Sequence, residues 1–274
     1  MTGAALALAS AAAYGVSDFA GGLLARRIHF RTVALFGQIG GLVAALATAP
    51  LFPAALDTES LVWGAVSGVG TAFGMLFLFR GLSTGAMSVV VPVSAVGGVA
   101  LPVLVGVLWL AERPSPLAWV GIVAAVPALW LVSHDRDAVS RSTSGTVDAL
   151  IAGTGIAVQY LALAQADAAA GTWPVVSGRL AAIVTLVPLL HAATPTGRPS
   201  PLTIALSLMT GVLALISYLL AIREQLVVIA VVLSSLYPAI PVLLGITVLG
   251  ERLVWQQTLG LAGATTAIAL LALG

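Results

Sequence analysis

The chain has 274 residues, 60% of them hydrophobic and 8% charged, with a net charge of +1. An ordinary water-facing surface needs about 25% charged residues, so a soluble globular protein is excluded, and a balance near neutrality without clustered cations leaves no footprint for nucleic acid. The absence of cysteine excludes disulfides, thiolate metal sites and cysteine nucleophiles.

A helix rises about 1.5 Å per residue, so about 20 apolar residues cross the hydrocarbon of a bilayer. Apolar windows bounded by charge, Pro or Gly predict ten such spans. In chain order they are Thr2–Leu24, Thr32–Pro50, Leu61–Phe79, Met87–Leu110, Pro116–Ser133, Val147–Gln165, Pro174–His191, Pro201–Ile222, Leu226–Gly250 and Leu253–Leu273. The first lacks a basic leader and is followed by Arg26 and Arg27, so it reads as a retained span and not a signal peptide. It carries Tyr14, Ser17 and Asp18. A lone carboxylate deep in a bilayer costs about 2.5–3.5 kcal/mol, so Asp18 is expected to face a cavity, where it binds a cation or carries a proton. The alternative is that the helix ends near Phe19–Gly22 and Asp18 merely touches the interface.

In the second span Gln38 is expected to glue helices together, and the Gly37–Gly41 stretch suits close helix contact. Arg80 closes the third span as an interfacial anchor. Pro92 and Pro102 interrupt the fourth, each freeing a backbone carbonyl, and Ser94 stands beside the first. The polar run 134–146 separates spans five and six and is read as a linker. Gln159 and Tyr160 are polar points in span six. Arg179, in span seven, has three destinations: a substrate carboxylate, Asp167, or the headgroups by snorkelling, and snorkelling is the reading adopted. Span nine carries Ser234, Ser235 and Tyr237 beside Pro238 and Pro241, which are expected to kink it near its middle. The six Trp lie towards helix ends as interface anchors.

The pattern Pro102 to Gly106, Glu112-Arg113 and Gly121 recurs as Pro241 to Gly245, Glu251-Arg252 and Gly260, each position 139 residues later. An odd number of spans per repeat turns the second copy upside down. The expected fold class is therefore an all-α integral membrane protein of ten transmembrane helices in two inverted five-helix repeats, residues 1–133 and 147–274, with a binding site near the midplane.

These residues resemble a known family. Tyr14 to Phe19, Pro92 to Ala95, Ser234 to Pro238 and the two Glu-Arg turns look like the EamA-type members of the drug/metabolite transporter superfamily. The resemblance implies a ten-helix bundle that moves small metabolites by alternating access, without naming a substrate. It also implies cytoplasmic termini. The charge count implies the opposite, because eight arginines lie in odd-numbered connections and two in even-numbered ones, which puts the odd connections inside.

The expected function is secondary transport, with export the expected direction, of an amino acid or drug-like solute across a bacterial inner membrane. The lining is expected from Tyr14, Ser17, Asp18, Ser94, Gln159, Tyr160, Ser234, Ser235 and Tyr237, with Asp18 and Arg179 as coupling candidates. Alternatives are a flippase or scramblase of a lipid-linked solute and, behind it, an embedded enzyme; the His and Ser patterns that zinc or acyl chemistry needs are missing. No cofactor or metal is expected. The partners are lipids, a small solute and protons, in a monomer or weak homodimer.

Overall fold

The structure, a computed structural model, describes residues 2–109, 115–133, 142–163, 165–190 and 237–273. Among them the elements are helical: α1 (Thr2–Ala25), α2 (Phe30–Thr48), α3 (Thr58–Thr84), α4 (Met87–Trp109), α5 (Pro116–Ser133), α6 (Ser142–Leu163), α7 (Trp173–Leu190), α8 (Ala239–Leu249) and α9 (Trp255–Leu273). Two short 3-10 turns, Ala49–Leu51 and Ala168–Ala170, lie in the connections. Among the described residues four helices are long and apolar enough to cross a membrane: α2, α3, most of α6 and α7. The expected eighth span, the first part of the ninth (226–236), Ser234, Ser235, Glu112 and Arg113 lie outside the described residues.

The first seven expected spans correspond to α1 to α7, with shifted ends. Asp57 extends α3 backwards by accepting the Ser60 N–H at 2.7 Å, and the Ser60 hydroxyl first, with this N–H second, holds its carboxyl below the usual carboxylate range. α1 continues through Asp18 to Ala25, so the early-ending alternative is wrong. α6 begins at Ser142 and takes up the last residues of the expected linker.

Short connections force neighbours antiparallel, and this defines two ends of the bundle. At one end Arg26, at the C-terminus of α1, meets the C-terminus of α3, while Arg31 donates to the Leu189 carbonyl at the C-terminus of α7. At the other, the Asp167 N–H donates to the Ser60 hydroxyl and the Ala55 N–H to the Ala169 carbonyl.

Packing runs α3 against α6 and α7, α4 against α6, α5 against α9, α2 against α7, and α8 against both α1 and α4. The helices are inside out compared with those of a soluble protein. Val43 and Leu46 on α2, Val123 on α5, and Leu180 and Val184 on α7 face outward. Inward faces carry small and polar groups such as Ala34, Gln38, Ser67, Thr71 and Ala182. In lipid the apolar faces gain nothing by burial, so close backbone approach and interhelical hydrogen bonds hold the bundle.

The closest approach joins α3 to α7. A Cβ placed on Gly68 would strike the Gly178 carbonyl, and one on Gly64 the Pro174 carbonyl. Gly37, expected to mediate helix contact, has no described residue within 4 Å of where its Cβ would be, so among the described residues it mediates none. The larger apolar core lies at the Arg26 end around Leu24, Leu82, Met87, Val90 and Leu186; a smaller one joins Ala95 and Val96 to Ala128, Ala264 and Ala267.

Candidate functional site

Three groups of polar side chains sit within the apolar helices. The first lies between α2, α3, α6 and α7. Arg179 is six residues into α7, about 9 Å from its start. The expected snorkelling does not occur. Its Nη1 donates to Gln38 Oε1 at 2.7 Å, and its aliphatic stem passes where Gly41 leaves room. Gln38, 2% exposed, exchanges a hydration it cannot have inside the bundle for this charge-assisted bond. Beside it is a cavity of about 30 Å³ lined by Ser67, Thr71, Gln159, Leu163, Val175 and Arg179, among others. Thr71 donates to the Ser67 carbonyl at 3.0 Å. The fold thus brings Gln159 and Arg179 together and adds Ser67 and Thr71. A Ser and a Thr four residues apart on an inward helix face were a signal for them that sequence reasoning passed over.

The second group surrounds α1. Tyr14 and Tyr237 meet edge to face with ring centroids 6.5 Å apart, and the α1 backbone at Gly15 lies against Ile240 and the Tyr237 carbonyl. Asp18, about 10 Å from the end of α1, is 9% exposed, with no hydrogen bond or ion pair to it among the described residues. Ser17, on the same stretch, is half-buried. Ser94 is 1% exposed and spends its hydroxyl on the Val91 carbonyl of its own helix at 2.9 Å. Its one donor is thus used within α4.

α4 runs unbroken through Pro92 and Pro102. Tyr237 and Pro238 form a turn, and Pro241 falls in the first turn of α8, where a missing N–H leaves no bond unmade. Among the described residues Pro238 and Pro241 thus stand at the start of α8, and the part of the expected ninth span that precedes them lies outside those residues. The side chain of Tyr160 lies outside the described residues.

The third group was not foreseen and closes the Arg26 end. Gly250, in the left-handed conformation at φ 68°, ends α8 and turns the chain so that Glu251 points back. The Glu251 carboxylate accepts from Met87 N (3.0 Å), Ser88 N (3.1 Å) and Ser88 Oγ (2.7 Å), capping α4 from another part of the chain. It occupies the space a side chain on Gly245 would fill. Arg26 Nη2 stands 3.5 Å from Glu251 Oε1, while the same guanidinium donates to the carbonyls of Leu82 and Gly85. A second ion pair joins Arg80 Nε to Asp148 Oδ2 at 3.4 Å, near the start of α6. Arg80 remains half-exposed over the Phe77 ring, so it keeps its anchor role as well. Outside the spans, His29 caps α2 by accepting the Arg31 N–H at 3.3 Å. Burial first, and Arg31 second, hold it below the usual histidine range, in the neutral form that can accept.

A solved structure titled "Crystal structure of protein" superposes on 98% of this chain and 94% of its own with a TM-score of 0.62, at 17% identity, a likeness of fold. No curated protein sequence matches. Residues 1–134 match the family of EamA-like transporters.

Proposed function

We propose that the chain, whose residues 1–134 match the family of EamA-like transporters within the drug/metabolite transporter superfamily, is a multi-pass secondary transporter that exports a small organic metabolite by alternating access. The observation that carries the reading is the polar closure at the Arg26 end. Arg26–Glu251 and Arg80–Asp148 tie helices of the first half to residues beyond position 142, and nothing covalent holds them together. Such contacts can be exchanged for water when a mouth opens. The pairing of α2 with α7, α4 with α8 and α5 with α9 supports two inverted repeats, since each pair would be related to itself by a two-fold axis in the membrane plane. We place the protein in a bacterial inner membrane.

The chain contains no cysteine, so introduced thiols report alone. A Cβ on Gly81 would lie 3.2 Å from the Asp148 Cβ, close to disulfide spacing. Oxidising the double variant Gly81→Cys/Asp148→Cys is expected to lock the Arg26 end. In proteoliposomes loaded with an amino-acid mixture, efflux followed by mass spectrometry should stop on oxidation and return on reduction. Efflux untouched by the crosslink rules out this end as a moving mouth.

Asp18 is the candidate for proton coupling. Asp18→Asn is expected to reduce efflux at least tenfold and to flatten its pH dependence. An unchanged pH profile removes Asp18 from coupling.

A further inference from the structure

We infer that the Arg26 end of the bundle is a binding face for anionic phospholipid headgroups and lies on the cytoplasmic side of the membrane. This rests on the chain spanning a bilayer, and not on transport. The charges separate along the bundle. Among the described residues Arg26, Arg27, Arg31, Arg80 and Arg252 gather towards this end, and its two carboxylates, Glu251 and Asp148, are each held by an arginine. The opposite end carries Asp57, Glu59 and Asp167, all exposed, with no basic residue among those described. An excess of arginine beside the span ends marks the cytoplasmic side, so α1 runs inwards. That direction agrees with the charge count of the sequence and opposes the one implied by the family resemblance.

The surplus charge is concentrated at one place. The left-handed turn at Gly250 lays Glu251 against the start of α4, 3.5 Å from Arg26. Successive Cα atoms are about 3.8 Å apart, so Arg27 and Arg252, each next in sequence to one member of that pair, stand beside it. Both are exposed. One carboxylate against three arginines leaves two positive charges over, and a guanidinium fork matches the oxygens of a phosphodiester. The depth fits as well. Trp255, which opens α9 three residues after Arg252, is 72% exposed, and Val248, near the end of α8, is 62% exposed. Valine turned outward lies against acyl chains and indole prefers the headgroup boundary, which puts Arg252 at the level of the phosphates.

Two measurements test the inference. In the cysteine-free chain, Leu56→Cys, at the opposite end and 59% exposed, is expected to react with an impermeant maleimide in intact cells. Thr84→Cys, exposed next to the Gly85 carbonyl that Arg26 binds, is expected to react only after permeabilisation. The reverse order, or reaction of both in intact cells, overturns the orientation. The lipid face is read from Trp255 fluorescence, taken as the difference from the matching Trp255→Phe protein, in phosphatidylcholine vesicles holding a minor share of brominated phosphatidylglycerol or brominated phosphatidylcholine. Each arginine near the surface favours an anionic lipid about fivefold, so the brominated phosphatidylglycerol is expected to quench Trp255 more strongly at equal mole fraction. Arg27→Gln/Arg252→Gln changes only exposed side chains and should make the two lipids equal. Equal quenching in the unaltered chain, or a preference that survives the double substitution, overturns the binding face.

Discussion

Replacing Glu251 with alanine is expected to destabilise the protein by about 2–4 kcal/mol and to open its Arg26 end. The carboxylate accepts three hydrogen bonds at the N-terminus of α4 with its side chain 14% exposed. Its loss leaves the Met87 and Ser88 N–H groups without that acceptor, and each orphaned donor costs about 1–3 kcal/mol. The positive end of the helix dipole also loses its counter-charge. Arg26, one-third exposed, adds little through its charge alone, so Arg26→Gln should be much milder. Glu251→Gln keeps one acceptor oxygen and should fall between the two. Thermal unfolding in detergent measures the order of the three. The opening is read from Met87→Cys, placed at a side chain with 0% exposure. A charged thiol reagent should label it at least tenfold faster in the Glu251→Ala background. Equal rates would mean that Glu251 stabilises the fold without holding a mouth shut.

The second large effect is expected at Gly68. Leucine there would drive its Cβ into the Gly178 carbonyl, and neither backbone can move without parting α3 from α7. The accumulated shift is expected to exceed what a marginally stable bundle can absorb, leaving no monodisperse protein on size exclusion. Gly37→Leu is the matched control, because no described residue lies within 4 Å of where its Cβ would be and the substitution should change stability by under about 0.5 kcal/mol. Well-folded Gly68→Leu would show that the seam between α3 and α7 is looser than drawn.

Much of the architecture was legible because bilayer thickness imposes one length on every span, and charge or Pro marks where each stops. The ends of α4 and α5 were read to within a residue for that reason. Rotation about each helix axis was not legible, and the misread residues turn on it. Whether Arg179 snorkels or turns inward depends on Gln38, 141 positions away, lying on the facing side of α2. Asp148 was overlooked because α6 was expected to start at Val147, making the carboxylate an edge residue; the helix starts at Ser142 and carries it inside. The Glu251-Arg252 turn was recognised as a repeat marker, yet its cap on α4 joins residues 163 and 164 positions apart, a separation that no local pattern encodes. Tyr14 and Tyr237 were both chosen as lining residues, and they do meet, because an aromatic in an otherwise apolar helix is conspicuous wherever it points.

The glycine seam between α3 and α7 has a mechanical consequence. Side chains that interlock act as teeth, and one helix can advance along another only by jumping a full notch. Where bare main chain rests on bare main chain the teeth are absent. The two rods then resist being pulled apart, through the close approach at Gly64, Gly68 and Gly178, while offering little friction to a glide of an ångström or two along their axes. A bundle jointed in this way can tilt in small, reversible steps.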